Sequence, residues 1–155
     1  MSCFPEAVLA QMVLPFQANP AGNVHGGEIM KMMDSTAGVA AQKYCRTNVV
    51  TARVDELQFR RPICVGSLVT CKGQVIYTGS SSMEVFVTVE SENLQKKSEP
   101  EIALTAFFTM VSLDENNTPQ KVEPLDISNA TAYELKLYSE GEKRYLSRKN
   151  RNKKM

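Results

Sequence analysis

The chain reads as an α+β domain in which an antiparallel sheet wraps one long helix. Three observations predict this class. A single segment with helical spacing follows one short apolar run, four β-rich runs come after it, and the joints between those runs carry turn chemistry. At 155 residues, 43% hydrophobic and 23% charged, the chain has room for one domain and not for a second. A domain of this size buries roughly two-thirds of the surface its unfolded chain exposes, so it needs neither disulfide nor metal to fold.

The elements follow in order. Ala7 to Leu14 is a short apolar run, and the breaker-rich stretch PFQANPAGNVHGG comes next. From Ile29 to Tyr44 the residues Met30, Met33, Ala37, Ala41 and Tyr44 recur at spacings of three and four, which predicts one helix with a small-residue face toward a sheet. Val49 to Phe59, Gly66 to Tyr77, Met83 to Val89 and Ile102 to Leu113 are dense in Val, Thr, Ile and Phe, with alternation such as Met83, Val85, Val87, Val89. Turn residues at Arg61 to Gly66 and Thr78 to Ser82, and the charged segment Glu92 to Glu101, predict antiparallel pairing of consecutive runs. A polar connector, Asp114 to Ser128, leads to an amphipathic helix over Ala130 to Asn150, with Tyr133, Leu137, Tyr145 and Leu146 as its apolar residues and the last six residues frayed.

Composition narrows the function classes. No apolar run approaches the ~20 residues of a membrane span, and no basic stretch precedes the first apolar run, which disfavours insertion or secretion. Cys3, Cys45, Cys64 and Cys71 are scattered, and His25 is the only histidine, so a metal site is not expected and a reducing cytoplasm is. Seven basic and no acidic residues lie between Lys143 and Met155, leaving 11 basic against 17 acidic in the rest: a basic tail on an acidic body.

The stretch from Asn19 to Asp34 (NPAGNVHGGEIMKMMD) carries the chemistry. Gly26 and Gly27 stand just before the expected helix, whose first amides lack intrahelical partners and suit a polarised carbonyl oxygen. The spacing fits neither a P-loop nor a dinucleotide fingerprint. Asp34 lies two turns along, flanked by Met30 and Ala37, a carboxylate within an apolar stripe. Taken alone it reads equally as a rim residue of the helix face and as a catalytic group.

Three ordered motifs then mark a resemblance. N-x-x-G-N-V-H-G-G-x-x-M-K-x-M-D, A-R-V-D-x-L-x-F-x-x-P-I-x-V-G and T-G-x-S-S-M-E-V-x-V-x-V, spread from about Leu14 to Leu113, resemble the hot-dog acyl-CoA thioesterases of the YciA and brain acyl-CoA hydrolase type. The resemblance implies a single hot-dog domain over residues 1–128, with a basic helix and tail over 129–155. It implies hydrolysis of acyl-CoA to free fatty acid and CoA, in the cytoplasm, with Asp34 as general base or nucleophile. Asn19 would hold water or substrate from across a subunit interface, and the amide of Gly27 or its neighbour would polarise the thioester oxygen. No cofactor beyond the coenzyme A of the substrate is implied. The minimum unit would be a homodimer, assembled as a trimer of dimers, with neither nucleic acid nor membrane as partner.

Further residues carry competing readings. His25 joins Gly26 as a substrate contact or serves in turn packing, and no nucleophile elbow or cysteine partner supports a triad. Arg144, Arg148 and Lys149 are phosphate partners of CoA, or a solvated helix end, or a nucleic-acid patch, the last disfavoured because no stacking aromatics follow Tyr145. Arg60 and Arg61 are a second phosphate site or a charged strand end. Gly79, Ser80, Ser81 and Ser82 border the pantetheine channel or form a plain hairpin. Two other activities compete: a non-catalytic acyl-CoA-binding regulator, and a dehydratase of hydroxyacyl thioesters.

Overall fold

The computed structural model describes residues 4–154. Cys3 lies outside them. The elements run β1 (Glu6–Met12), a 3-10 turn (Pro15–Gln17), α1 (Gly26–Cys45), β2 (Asn48–Phe59), β3 (Leu68–Thr78), β4 (Ser82–Glu92), β5 (Glu101–Leu113) and α2 (Ala132–Lys154). All strands pair antiparallel in one sheet of order β1-β3-β4-β5-β2, wrapped around α1.

Two expectations about pairing part here. The runs joined by the Thr78 to Ser82 turn and by the charged Glu92 to Glu101 segment, β3 to β4 and β4 to β5, are neighbours as expected, but β2 does not pair with β3. It crosses to the opposite edge and pairs with β5. The Arg61 to Gly66 joint is therefore a crossover, and turn residues alone do not distinguish a hairpin from a crossover.

α1 begins three residues earlier than its periodicity indicates. His25 is the N-cap, its ring Nδ1 accepting from the Gly27 amide at 3.0 Å, so both glycines belong to the first turn. Glu28 in the first turn and Lys43 in the last suit the helix dipole, and Arg46 closes the helix in a left-handed conformation, φ 58°. The buried face is Ile29, Met32, Met33, Thr36, Ala37, Ala40 and Ala41. Met30, expected on that face, is 42% exposed. The small residues let α1 lie close on the inner face of the sheet, against Val69, Cys71, Val75, Val85, Val87, Val89, Ala106 and Phe108.

α2 covers part of the outer face and differs in two respects from its expected form. It continues to Lys154 without fraying, and its Tyr133 and Leu146 are exposed while Glu134 and Leu137 are buried. Thr131 and Glu134 form a capping box, and Glu134 also accepts from the Phe4 amide and the Gln74 side chain, tying the helix start to the N-terminal segment and β3. Gly141 permits the close approach to β3: a Cβ there would stand 2.6 Å from the Cβ of Tyr77. The connector before α2 is a strap rather than a loose polar loop. Val122 and Leu125 are buried, and their amides donate to the Ser80 carbonyl and the Thr78 hydroxyl.

β2 is the irregular strand. Register shifts between Thr51 and Arg53 and between Asp55 and Gln58 mark two bulges, and Glu56, in the second, takes φ 50°. Each bulge puts two successive residues on the outer face. Thr51, Val54 and Leu57 thus all face α1 at a spacing of three, where a regular strand would alternate.

Candidate active site

The inward residues of β2 meet the flank of α1 that carries Asp34. Gly27, Met30, Lys31 and Asp34 from the helix, Val54 and Leu57 from β2 and Phe108 from β5 line a cavity of about 400 Å³. The Thr51 hydroxyl donates to Asp34 Oδ1 at 2.5 Å and lies 3.4 Å from the Met110 sulfur. Asp34 is exposed in this chain, not enclosed in an apolar stripe as its sequence neighbours suggest, because the buried face of α1 is rotated away from Met30. The arrangement is a carboxylate anchored by one hydroxyl at the mouth of an apolar cavity, suited to activating water or attacking an electrophile beside a hydrophobic ligand.

Asn19 stands elsewhere. Its side-chain carbonyl accepts from the amides of Ala21 and Asn23 at 3.0 and 3.2 Å, an Asx turn that organises the loop ahead of α1. Asn19, Asn23, Gly26, Phe59, Arg61 and Pro62 contribute to a second cavity of about 230 Å³. The first turn of α1 divides the two: Gly26 lines one and Gly27 the other.

Of the entrance amides expected to polarise an oxygen, Gly27 or its neighbour, the first is engaged within the helix cap. Gly27 N–H is already held by His25 Nδ1, and Glu28 N–H by the His25 carbonyl at 2.9 Å. Among the described residues, Gly26 N–H is the entrance amide without a partner. His25 itself is exposed and acts as a cap; with Nδ1 accepting, its ring proton sits on Nε2.

The basic candidates divide sharply. Arg144, with a side chain only 10% exposed, pairs with Asp55 at 2.9 Å, Glu56 at 3.0 Å and Glu140 at 3.1 Å, and stacks over the Phe107 ring at 3.7 Å. Arg148 pairs with Glu84, which is 2% exposed and also accepts from the Thr109 hydroxyl. Neither presents a free guanidinium to a phosphate: Arg148 serves the buried Glu84, and Arg144 is shared among three carboxylates that are themselves partly exposed. Lys149 is exposed, its ammonium 5.9 Å from the Tyr145 ring. Arg61 pairs with Glu101 at 3.1 Å, and Arg60 reaches Gln58 at 3.4 Å, both on the surface.

The Gly79 to Ser82 segment is the β3–β4 hairpin and is packed from two sides. Gly79 donates to the Ser82 carbonyl, and the carbonyls of Ser80 and Ser81 accept from Val122 and Ser112. A Cβ on Gly79 would fall 2.4 Å from the Tyr145 ring, so any other residue there must displace that ring. Hydrogen bonding to Ser80 holds the Tyr145 phenol below its ordinary pKa. Met32, Met33 and Met83 are core residues, whereas Met30 lines the Asp34 cavity.

Thr51, Val54 and Phe108 were not singled out in the sequence. Thr51 sits directly before the A-R-V-D motif and looks like any β-strand threonine, because the bulge after it, which puts Thr51 and Val54 on one face, leaves no compositional mark.

Comparison with known proteins bears on this geometry. The Thioesterase superfamily matches residues 21–97. Mouse cytosolic acyl coenzyme A thioester hydrolase is 37% identical over 147 residues, 94% of this chain, and the chain spans 38% of that relative's length. The uncharacterized acyl-CoA thioester hydrolase YkhA of Bacillus subtilis is 35% identical over 96% of this chain and 84% of its own. Among solved structures, an apo-hexameric acyl-CoA thioesterase superposes with a TM-score of 0.88 at 33% identity, covering 96% of this chain and 93% of the other. An acyl-CoA hydrolase from Staphylococcus aureus, solved with butyryl coenzyme A, coenzyme A and coenzyme A disulfide, gives 0.86 at 27% identity, covering 97% and 90%. That hydrolase was also solved with an asparagine, an aspartate or a threonine changed to alanine, at positions spaced 15 and 17 residues apart.

Proposed function

The chain belongs to the hot-dog acyl-CoA thioesterases of the thioesterase superfamily, and from that premise we propose that it hydrolyses acyl-CoA to a free carboxylate and CoA. The observation that carries the reading is the Asp34–Thr51 pair at the mouth of the apolar cavity. Asn19, Asp34 and Thr51 also keep the spacing of the three residues replaced in the Staphylococcus aureus hydrolase.

In this mechanism Asp34 takes a proton from water, the oxygen adds to the thioester carbonyl, and the C–S bond breaks as the thiolate leaves and is protonated. Thr51 orients the carboxylate, and the unpartnered Gly26 amide, which lines the Asn19 cavity, polarises the carbonyl oxygen where the Asn19 cavity of a second copy meets Asp34. A thioester is activated enough that this set requires no cofactor beyond the coenzyme A of the substrate. Attack by the Asp34 carboxylate itself, through an anhydride that water then opens, uses the same residues. His25 and Gly26 border the reacting carbonyl; the Gly79 to Ser82 hairpin, Arg60, Arg61 and Lys149 remain candidate contacts for coenzyme A.

The working unit is a homodimer. Asn19 and Asp34 line separate cavities in one chain, and the free edge of β2 exposes Val50, Val54 and Phe59 beside Met30 and Val39 of α1. A second copy along that edge would cover this apolar strip and bring its Asn19 to the Asp34 cavity. The hexameric state of the solved relative supports three such dimers. The mouse relative's name supports a cytosolic setting, and no helix among the described residues is long and apolar enough to cross a membrane.

The test is thiol release from acyl-CoAs of graded chain length by wild type and Asp34→Ala. Turnover by wild type that Asp34→Ala lowers by at least about a hundredfold is expected; a wild-type chain that releases no thiol at any length overturns the assignment.

A further inference from the structure

The acidic pair on β2 has no role in the chemistry above, yet Arg144 reaches across from α2 to hold it. Asp55 and Glu56 are adjacent in sequence, and a regular strand would send them to opposite faces. Here both meet one guanidinium on the outer face, at 2.9 and 3.0 Å, because Glu56 adopts φ 50° within the bulge. That conformation disfavours any side chain other than glycine or Asn/Asp, and this bulge position commonly belongs to glycine. Something must hold a glutamate there.

The bulge has a direct consequence for the cavity. With two residues outward in succession, Leu57 turns inward and lines the Asp34 cavity beside Val54 and Phe108. In an unbulged strand counted from Val54, Glu56 would take the inward position, bringing a second carboxylate toward Asp34, and Leu57 would face out. The clamp is tightly placed: Arg144 also pairs with Glu140, stacks on Phe107, the neighbour of the cavity residue Phe108, and is 10% exposed. Without its charge, Asp55, Glu56 and Glu140 would face one another with Arg53, 3.6 Å from Asp55, as the remaining counter-ion.

We infer that Arg144 is a positioning residue: through Asp55 and Glu56 it locks the β2 bulge, and so sets the wall of the acyl cavity and with it the acyl chains the protein accepts. The inference rests on the reading that the cavity beside Asp34 takes the acyl chain.

The experiment compares Glu56→Ala, Glu56→Gly, Arg144→Met and the double variant Arg144→Met with Glu56→Gly, by kcat/KM across acyl-CoAs of increasing length. Glu56→Ala and Arg144→Met are expected to lower the longest accepted chain relative to the shortest by about tenfold, the worth of one lost apolar contact. Glu56→Gly, free to adopt the left-handed backbone unaided, keeps the wild-type profile and restores it in the double variant. A uniform fall at all lengths, no change in the profile, or equal effects of alanine and glycine would overturn the inference. If Arg144→Met does not fold, the two Glu56 variants decide alone, since Arg144 still holds Asp55 in both. A crystal structure of Glu56→Ala is read independently of turnover: Leu57 is expected to leave the cavity, and Leu57 still in place overturns the clamp. Absent wild-type turnover refutes the proposed function and not the clamp.

Discussion

α1 and α2 lie on opposite faces of the same sheet and are held there by different physics. α1 docks through alanines, methionines and an isoleucine on a bed of valines, a contact that is apolar and non-directional. α2 docks partly through Ile76, Leu125 and Leu137, and partly through buried charge: Arg148 to Glu84, Glu134 to the Phe4 amide, and Arg144 to three carboxylates. Apolar contact tolerates small rotations, so α1 can leave one flank open for Asp34. Charge pairing is directional and costly to break, so α2 can dictate the shape of a neighbouring strand. Chemistry and geometry are thus assigned to different helices.

The largest break in that contrast comes at the open flank of α1. Asp34→Ala should lower kcat by about 10²- to 10⁴-fold, the range of one general base, with the thermal midpoint nearly unchanged because the side chain is exposed. Steady-state thiol release and calorimetry check both halves. On α2 the pattern should invert. Arg148→Ala leaves the buried Glu84 without its counter-ion and should cost roughly 3 kcal/mol of stability, read by urea denaturation, while kcat of the folded fraction holds.

Smaller effects sharpen the picture. Thr51→Val removes the hydroxyl that anchors Asp34 and should lower kcat about tenfold, the worth of a hydrogen bond to a charged group, with little change in the denaturation midpoint. His25→Phe removes the α1 cap and should cost about 1 kcal/mol, while turnover is retained; loss of turnover with intact folding would give His25 a part in the chemistry. His25→Asn, which can also cap, should recover the stability. Last, burial beneath α1 pushes the Cys71 thiol up to about 11, its hydrogen bond with Thr36 opposing only in part. Timed alkylation at pH 8 should therefore modify the exposed Cys64 well before Cys71.

Local periodicity made α1 legible, along with the four later strands and the strap's position between β5 and α2. The aspartate was also legible, since a carboxylate one turn beyond Met30 interrupts an apolar pattern. Its exposure was not. The spacing of Met30, Met33 and Ala37 fits one stripe, but the sheet buries Met33 and Ala37 together with Ile29, Met32 and Ala40, and that face leaves Met30 and Asp34 outside it. The basic C-terminal run was visible as composition, and Glu140 stands one turn before Arg144, but the partners on the sheet were not visible. Arg144 meets an acid 89 residues away, and no local pattern records such a distance. Thr51 and Leu57 were concealed for a related reason: a bulge changes which residues face inward without changing which residues are present.

By itself the sequence determined the identity and order of the elements, the glycine-rich entrance to α1 and the carboxylate two turns along it, because helix spacing, strand alternation and breakers act over a few residues. Only the tertiary structure decided that β2 lies beside β5 rather than β3, that the His25 ring occupies the Gly27 amide, and that Arg144 and Arg148 serve the sheet rather than the solvent. Those outcomes depend on which groups meet after the chain has closed on itself, where burial makes an unpaired charge or amide costly and each finds the partner that the packed sheet brings within reach.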